Sequence, residues 1–223
     1  MKVGVLGTGM VGTAIGTKLI ELGHEVRMGS RQAGNEKAAT WAESAGDRAS
    51  SGDFADAASF GEIAFNCTAG EGSVDAVSSA TEGLAGKLLI DVANVLDFSN
   101  GPPPMASATD RDSLAEQIQR AVPEAHVVKS LNTVNNDVMV DPARVPGGHV
   151  IFLSGDDQGA KRQAIELLGE FGWREDRVID LGDITTAPGP EMYVGLWIRL
   201  MGALDSTQFN IGLFCGQADP AGR

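Results

Sequence analysis

Three features of this 223-residue chain predict an α/β protein built on a doubly wound parallel sheet. Apolar runs bounded by turn residues alternate with segments of helical periodicity. A glycine-rich turn, Gly7-Thr8-Gly9-Met10-Val11-Gly12, joins the first run to the first such segment. The alternation then continues for most of the chain. Strands that recur after crossover helices run parallel, and the helices cover both faces of the sheet.

The elements follow in order. Val3–Leu6 reads as a buried strand, and Thr13–Leu22 as a helix with Ala14, Ile15, Leu19 and Leu22 near one face, ended by Gly23. Glu25–Met28 is the second strand, Glu36–Ala45 a helix closed by Gly46, and Arg48–Ser51 a short third strand. Asp53–Ser59 is a helix opened by a capping acid. Ile63–Cys67 is the fourth strand, Ser73–Leu84 a helix and Leu88–Val92 the fifth strand. The run Ser99-Asn100-Gly101-Pro102-Pro103-Pro104 breaks the pattern, because no regular element continues through it. Ser113–Ala121 is helical, His126–Ser130 and Val150–Ser154 are the sixth and seventh strands, Gln158–Phe171 is a helix and Val178–Leu181 a last strand. The region from Thr186 to Phe214 reads as mostly helical, with Tyr193, Leu196, Trp197, Leu200, Met201 and Leu204 forming an apolar stripe on the helix from Glu191 to Leu204. That stripe needs a partner, either its own sheet or a second subunit. The domain expectation is a nucleotide-binding unit over residues 1–135 and a smaller region over 136–223 that completes the sheet edge and supplies dimer helices.

Composition narrows the function. A formal net charge of -13 argues against non-specific nucleic-acid binding, which needs a basic face. Cys67 and Cys215 match neither a metal site nor a disulfide framework and read as core thiols in a reducing cytosol. The start, MKVGVLGTG, is a strand and turn rather than a leader, and the most apolar helix candidate is short and interrupted by Arg199, so the expectation is a soluble cytoplasmic protein with no membrane contact.

The glycine turn fits G-x-G-x-x-G in the setting that gives the motif its meaning: after a buried strand, at the opening of a helix, within a unit of about 30 residues. Gly7 serves the tight turn, Gly9 the approach of a pyrophosphate and Gly12 the close contact of helix with strand. The helix N-terminus offers free N–H groups and a positive dipole end to phosphates. At the end of the second strand an acid would accept hydrogen bonds from a ribose diol. The chain has Gly29-Ser30-Arg31 there instead. A hydroxyl and a guanidinium suit a 2′-phosphate, and Lys37 adds charge nearby, so the predicted cofactor is NADP(H); a solvated loop is the plainer alternative. The loops after strands four, five and six, Thr68-Ala69-Gly70, Ala93-Asn94-Val95 and Leu131-Asn132-Thr133, lie where the nicotinamide belongs, although each also reads as ordinary turn chemistry.

No catalytic acid stands out. His24 reads as a surface cap, and His126 and His149 as strand-end residues. Lys129 is an isolated charge amid Val127, Val128 and Leu131 and is expected to reach a loop carbonyl or solvent. Hydride transfer to a flavin-like ring can proceed with the protein supplying stacking, distance and orientation alone. Reduction of a flavin, quinone, ferric or imine acceptor is the alternative, and a non-catalytic NADPH sensor a further one.

The stretch GTGMVGTAIGTKLIELGHEVRMGSR, KSLNTV at the sixth strand and a Trp-containing apolar helix near the end resemble the F420-dependent NADP reductases (NADPH:F420 oxidoreductases) and their bacterial relatives. The resemblance implies a Rossmann domain with a small C-terminal part, a homodimer, and reversible hydride exchange between NADP(H) and the deazaflavin coenzyme F420, a planar acceptor. It implies that Thr8, Gly9, Met10 and Val11 hold the pyrophosphate, Ser30 and Arg31 the 2′-phosphate, that Thr68 and Ala69 lie near the nicotinamide, and that Asn132 and Thr133 floor the deazaflavin site. Two loops depart from the archaeal members: Asn132-Thr133-Val134-Asn135-Asn136 replaces their H-T-I-P, and Ala69-Gly70-Glu71-Gly72 lacks their I-P-W. A similar nucleotide half occurs in NADPH-dependent ferric and flavin reductase domains.

Overall fold

A computed structural model describes residues 1–97, 99, 101, 103–106 and 111–216. The chain runs β1 (Lys2–Leu6), α1 (Met10–Glu21), β2 (Glu25–Ser30), α2 (Glu36–Ala45), β3 (Ala49–Asp53), α3 (Phe54–Phe60), β4 (Ile63–Asn66), α4 (Gly70–Ser78), α5 (Thr81–Leu84) and β5 (Leu88–Asp91). It continues through a two-residue ladder, β6 (Leu96–Asp97) with β7 (Met105–Ala106), to α6 (Leu114–Ala121), β8 (His126–Ser130), α7 (Asn136–Val140), β9 (Ile151–Ser154), α8 (Gln158–Glu170), β10 (Val178–Gly182) and α9 (Pro188–Leu204). Of the predicted break at Ser99–Pro104, Asn100 and Pro102 lie outside the described residues.

The eight main strands form one sheet in the order β10-β9-β8-β5-β4-β1-β2-β3. From β3 to β8 all neighbours are parallel, and the strand order reverses direction at β1 and β4, the doubly wound arrangement expected. The far end departs from a wholly parallel sheet: β9 lies antiparallel to β8, with Lys129 opposite Ser154, and β10 runs parallel to β9. The segment between β8 and β9 explains the reversal. It contains only the five-residue α7 and a 3-10 turn at Pro142–Arg144, and α7 lies against α1 instead of carrying the chain back across the sheet. The register of β10 on β9 slips between Asp180 and Gly182.

Strand residues alternate between two apolar layers, as a sheet covered on both faces requires. Val3, Val5, Ile63, Phe65, Leu88, Ile90 and Val128 face one layer with Ile15, Leu19, Trp41, Phe171 and Trp173. Leu6, Ala64, Leu89 and Val127 face the other with Phe54, Leu84, Leu114, Ile118 and Ile184. Side-chain caps set several helix starts: Asp53 and Asp56 form a capping box on α3, Ser113 and Glu116 one on α6, and Asp157 accepts from Ala160 N at α8.

Three helix boundaries differ from expectation. α1 begins at Met10, inside the glycine turn. The single helix expected over Ser73–Leu84 is two, α4 and α5, broken at Ser79-Ala80. The C-terminal region is helical only as far as Leu204, where Asp205 takes the left-handed conformation at φ 46°, and the described chain beyond it is irregular apart from a bridge between Gly212 and His149.

Candidate cofactor and substrate site

The glycine turn lies at the carboxyl end of β1. Gly7 has φ 123°, open to glycine and strained for other residues, and donates its N–H to Gly29 O at 2.9 Å, which ties the turn to β2. A Cβ on Gly12 would stand 2.1 Å from Gly7 O, so α1 approaches the turn as closely as only glycine allows. A Cβ on Gly9 would meet nothing within 4 Å. Gly9 is the N-cap of α1 with no side-chain cap, and the first turn of the helix carries no acid. Its first N–H groups therefore face open space beside an unhindered backbone, a cradle that fits a pyrophosphate. Thr8, Gly9 and Met10 also border a cleft of about 770 Å³ on the outer side of α1, shared with Lys37 of α2 and with Asn136, Asp137 and Arg144.

At the end of β2, Gly29 has a reason of its own. A Cβ there would come within 2.8 Å of the Ala57 Cβ and 2.9 Å of Asp53 O, so α3 excludes any side chain. Ser30 is buried; its hydroxyl donates to Gln32 O at 2.6 Å and accepts from Gln32 N at 3.3 Å, closing the loop on itself. Arg31 is exposed and has no ion-pair partner among the described residues. Its Nη2 would lie 3.9 Å from a Cβ on Gly72, so the guanidinium reaches from β2 toward α4. Of the predicted phosphate ligands, Arg31 is the free cation and Ser30 shapes the loop that carries it. Lys37 is exposed on α2, toward the outer cleft.

The loops after β4, β5 and β8 meet in a buried polar network that begins with Thr68. Thr68 donates from Oγ1 to Asn66 Oδ1 at 2.6 Å and from its N–H at 3.3 Å. Asn66 Nδ2 donates to Asp91 Oδ1 at 2.7 Å. Lys129 Nζ donates to Asp91 Oδ2 at 2.8 Å, lies 3.1 Å from Glu191 Oε1 and also bonds to Ala93 O. The Glu191 carboxylate accepts from Leu114 N at 2.9 Å and Ala115 N at 3.0 Å, capping α6 from α9. Beside this network Asn94 and Asn132 are reciprocally bonded: Asn94 Nδ2 donates to Asn132 O at 2.8 Å, and Asn132 Nδ2 to Asn94 Oδ1 and Pro190 O, both at 3.0 Å. The preceding Leu131 is fully buried with φ 61°, a left-handed conformation that aims Asn132 across the strand ends. Ala69 is exposed at the start of α4, whereas Thr133 is buried and its Oγ1 has no partner.

Sequence reasoning missed Asn66, Asp91 and Glu191. A signal existed: Asp91 and Lys129 are the lone charges near the ends of two apolar strands, and the register sets them side by side. Lys129 does reach a loop carbonyl, yet it faces two carboxylates and no solvent. His24 is not a surface cap. It is buried, with its ring between the Met1 ammonium at 3.3 Å and Glu170 Oε2 at 2.9 Å. His126 is exposed at the start of β8, and His149 bonds to Pro142 O at 3.0 Å and to Asn210. Cys67 is a core thiol, and burial, with the Asp91 charge, pushes its pKa far up, so it is no nucleophile; Cys215 is exposed instead. Among the described residues, no group of three or more His, Cys, Asp or Glu could hold a metal, and no helix is long and apolar enough to cross a membrane.

Comparison with known proteins bears on the same strands. Residues 2–95 match the family NADP oxidoreductase, coenzyme F420-dependent. A solved structure from Arthrobacter sp. FB24, assigned as an F420-dependent NADP-reductase, is 45% identical, with TM-score 0.89, covering 96% of this chain and all 100% of that one. Metalloreductase STEAP3 of Rattus norvegicus is 28% identical over 189 residues, which are 83% of this chain, and the match spans only 35% of the length of that curated relative. The imine reductase of Streptomyces aurantiacus, 17% identical with TM-score 0.64 over 92% of this chain and 64% of its own, shares the fold. Dinucleotide cradle, sheet and relatives together define an NADP-dependent oxidoreductase on a Rossmann fold. Within that class the chain belongs to the NADP oxidoreductase, coenzyme F420-dependent family.

Proposed function

We propose that the protein transfers a hydride between NADPH and the deazaflavin coenzyme F420. Bound nicotinamide would supply the hydride. The chain's own residues would hold it: the α1 N-terminus and Thr8–Val11 on the pyrophosphate, Arg31 on the 2′-phosphate, Thr68, Ala69 and Asn94 beside the nicotinamide, Asn132 and Thr133 below the acceptor. Ser30 would have to leave Gln32 to donate to a phosphate, so Arg31 carries the preference.

The observation that carries the acceptor reading is the state of the protons. The Thr68 hydroxyl proton is spent on Asn66, all three Lys129 protons are engaged, and the Asn132 amide is bonded on both hydrogens. These three groups have no proton to lend, and the Thr133 hydroxyl, buried without a partner, is a very weak acid, so the arrangement suits a ring that accepts hydride with protons drawn from solvent better than it suits a carbonyl. The names of the Arthrobacter protein and of the matching family support the deazaflavin. Similarity to a metalloreductase supports a second reading, NADPH-dependent reduction of a flavin or ferric acceptor. The purified protein, mixed with NADPH and oxidised F420, should bleach the deazaflavin absorbance band. No bleaching, with turnover on a free flavin or a ferric chelate, replaces the first reading with the second; tight NADPH binding with no turnover on any acceptor makes the protein a sensor.

Arg31→Ala should raise the Michaelis constant for NADPH roughly ten- to over a hundredfold, the loss of a charge-assisted bond of about 1.5–3 kcal/mol, and leave NADH unaffected. An unchanged NADPH/NADH preference overturns the phosphate assignment.

The same reading includes a homodimer. α9 buries Val194 and Ile198 but exposes Met192, Leu196 (55%) and Leu204 (55%), an apolar face suited to a second copy. Leu196→Glu should turn the dimer into a monomer in sedimentation, and a wild-type monomer at all concentrations removes the proposal. The free thiols support a reducing compartment, the cytoplasm.

A further inference from the structure

We propose that Asp91 and Lys129 are positioning residues whose buried charges fix the rotamer of Asn66, and through it Thr68, at the nicotinamide end of the cleft. The inference rests on the nucleotide reading above.

Asn66, Asp91 and Lys129 are each 0% exposed, and Glu191 is 4% exposed. Burying one ammonium and two carboxylates is a poor way to gain stability, since apolar residues of similar volume commonly do as well. What the arrangement does fix is direction. Asp91 accepts from three donors, Asn66 Nδ2, Ala93 N and Lys129 Nζ, and gives none. Lys129 donates only, so it holds Asp91 in the accepting role. Asn66 must then turn its amide nitrogen to Asp91 and its oxygen to Thr68. With the oxygen at that side, Thr68 donates both its N–H and its hydroxyl to Asn66 Oδ1. Ser73 Oγ, 2.7 Å from Thr68 Oγ1, then donates to it.

The order runs out to the glycine turn. A Cβ on Gly7 would stand 2.5 Å from Cys67 O and 3.1 Å from Thr68 N, so the two loops lie in contact. A reversed Asn66 amide would set an NH2 group against the Thr68 N–H and displace that loop. At its other end, the chain of bonds reaches α9 through Glu191 and the α6 N-terminus.

Asp91→Asn tests the idea with little change in volume, and it lowers the number of buried charges. The Lys129 ammonium can only donate and so takes the amide oxygen, which leaves the NH2 group facing Asn66 and reverses the Asn66 amide. Calorimetric titration with NADP⁺ and with adenosine 2′,5′-bisphosphate, which fills only the adenosine end, separates positioning from folding. The expected result is at least a tenfold weaker NADP⁺ affinity with the bisphosphate affinity unchanged. The exchange variant Asn66→Asp/Asp91→Asn returns an all-accepting group beside Thr68 and should bring NADP⁺ affinity back to within about threefold of wild type. A merely structural role lowers the active fraction and alters neither the ratio of the two affinities nor its rescue. Equal loss of both ligands, no loss, or no recovery in the exchange variant overturns the proposal, as does failure of both variants to fold. Wild-type protein that binds neither ligand signals failure of the nucleotide reading itself, and the proposal falls with it.

Discussion

Two glycines three residues apart, Gly9 and Gly12, obey opposite physics, although the motif treats them alike. Gly12 abuts a backbone carbonyl, so Gly12→Ala should lower the melting temperature markedly or prevent folding. Gly9 has open space around it and φ -80°, so Gly9→Ala should fold with unchanged or slightly higher melting temperature while losing nucleotide affinity. Thermal unfolding and NADPH titration of the pair check this, and a Gly9→Ala protein that binds NADPH normally removes the pyrophosphate from the turn. The turn was legible because each glycine answers a backbone demand that recurs wherever a phosphate meets a helix end. Gly29 was legible as a missing acid and illegible as a contact with α3, because Ala57 and Asp53 reach it from a different part of the chain. Asp91 was hidden for a related reason: its meaning lies in Lys129, 38 residues later, and the pair becomes visible only once β5 and β8 are set side by side.

Among the elements, helices with side-chain caps were read well. Asp53, Ser113 and Asp157 each satisfy backbone N–H groups at a start that the sequence announced. The Asp157 carboxyl has its pKa held below the usual range, first by the hydrogen bond from the Ala160 N–H. A depressed carboxylate pKa contributes stability that is present above the unfolded value and lost as pH falls through the folded one. Asp157→Ala should therefore lower the melting temperature at pH 7 and make little difference near pH 2, as scanning calorimetry at the two pH values will report. Strands were legible wherever both faces are covered. The five-residue α7 was not, since so short a helix has too few turns to display a period and owes its place to α1. The antiparallel turn of β9 was equally hidden, because strand direction is decided by the path of the connection and not by the residues of the strand.

At the scale of the molecule, one apolar layer runs from Val3 in β1 to Trp173 and Val178 near β10. The regions 1–135 and 136–223 share that core. Calorimetry should show a single unfolding transition, and a fragment ending at Asn135, stripped of Leu153, Leu167, Phe171 and Trp173, should show none. The register slip between Asp180 and Gly182 bears on how copies meet. A terminal strand that kinks, ends after five residues and carries Asp180, itself bound to Lys161 at 2.9 Å, offers a poor template for edge-to-edge growth. Fibrillar stacking through that border is discouraged, and self-association is left to helical surfaces.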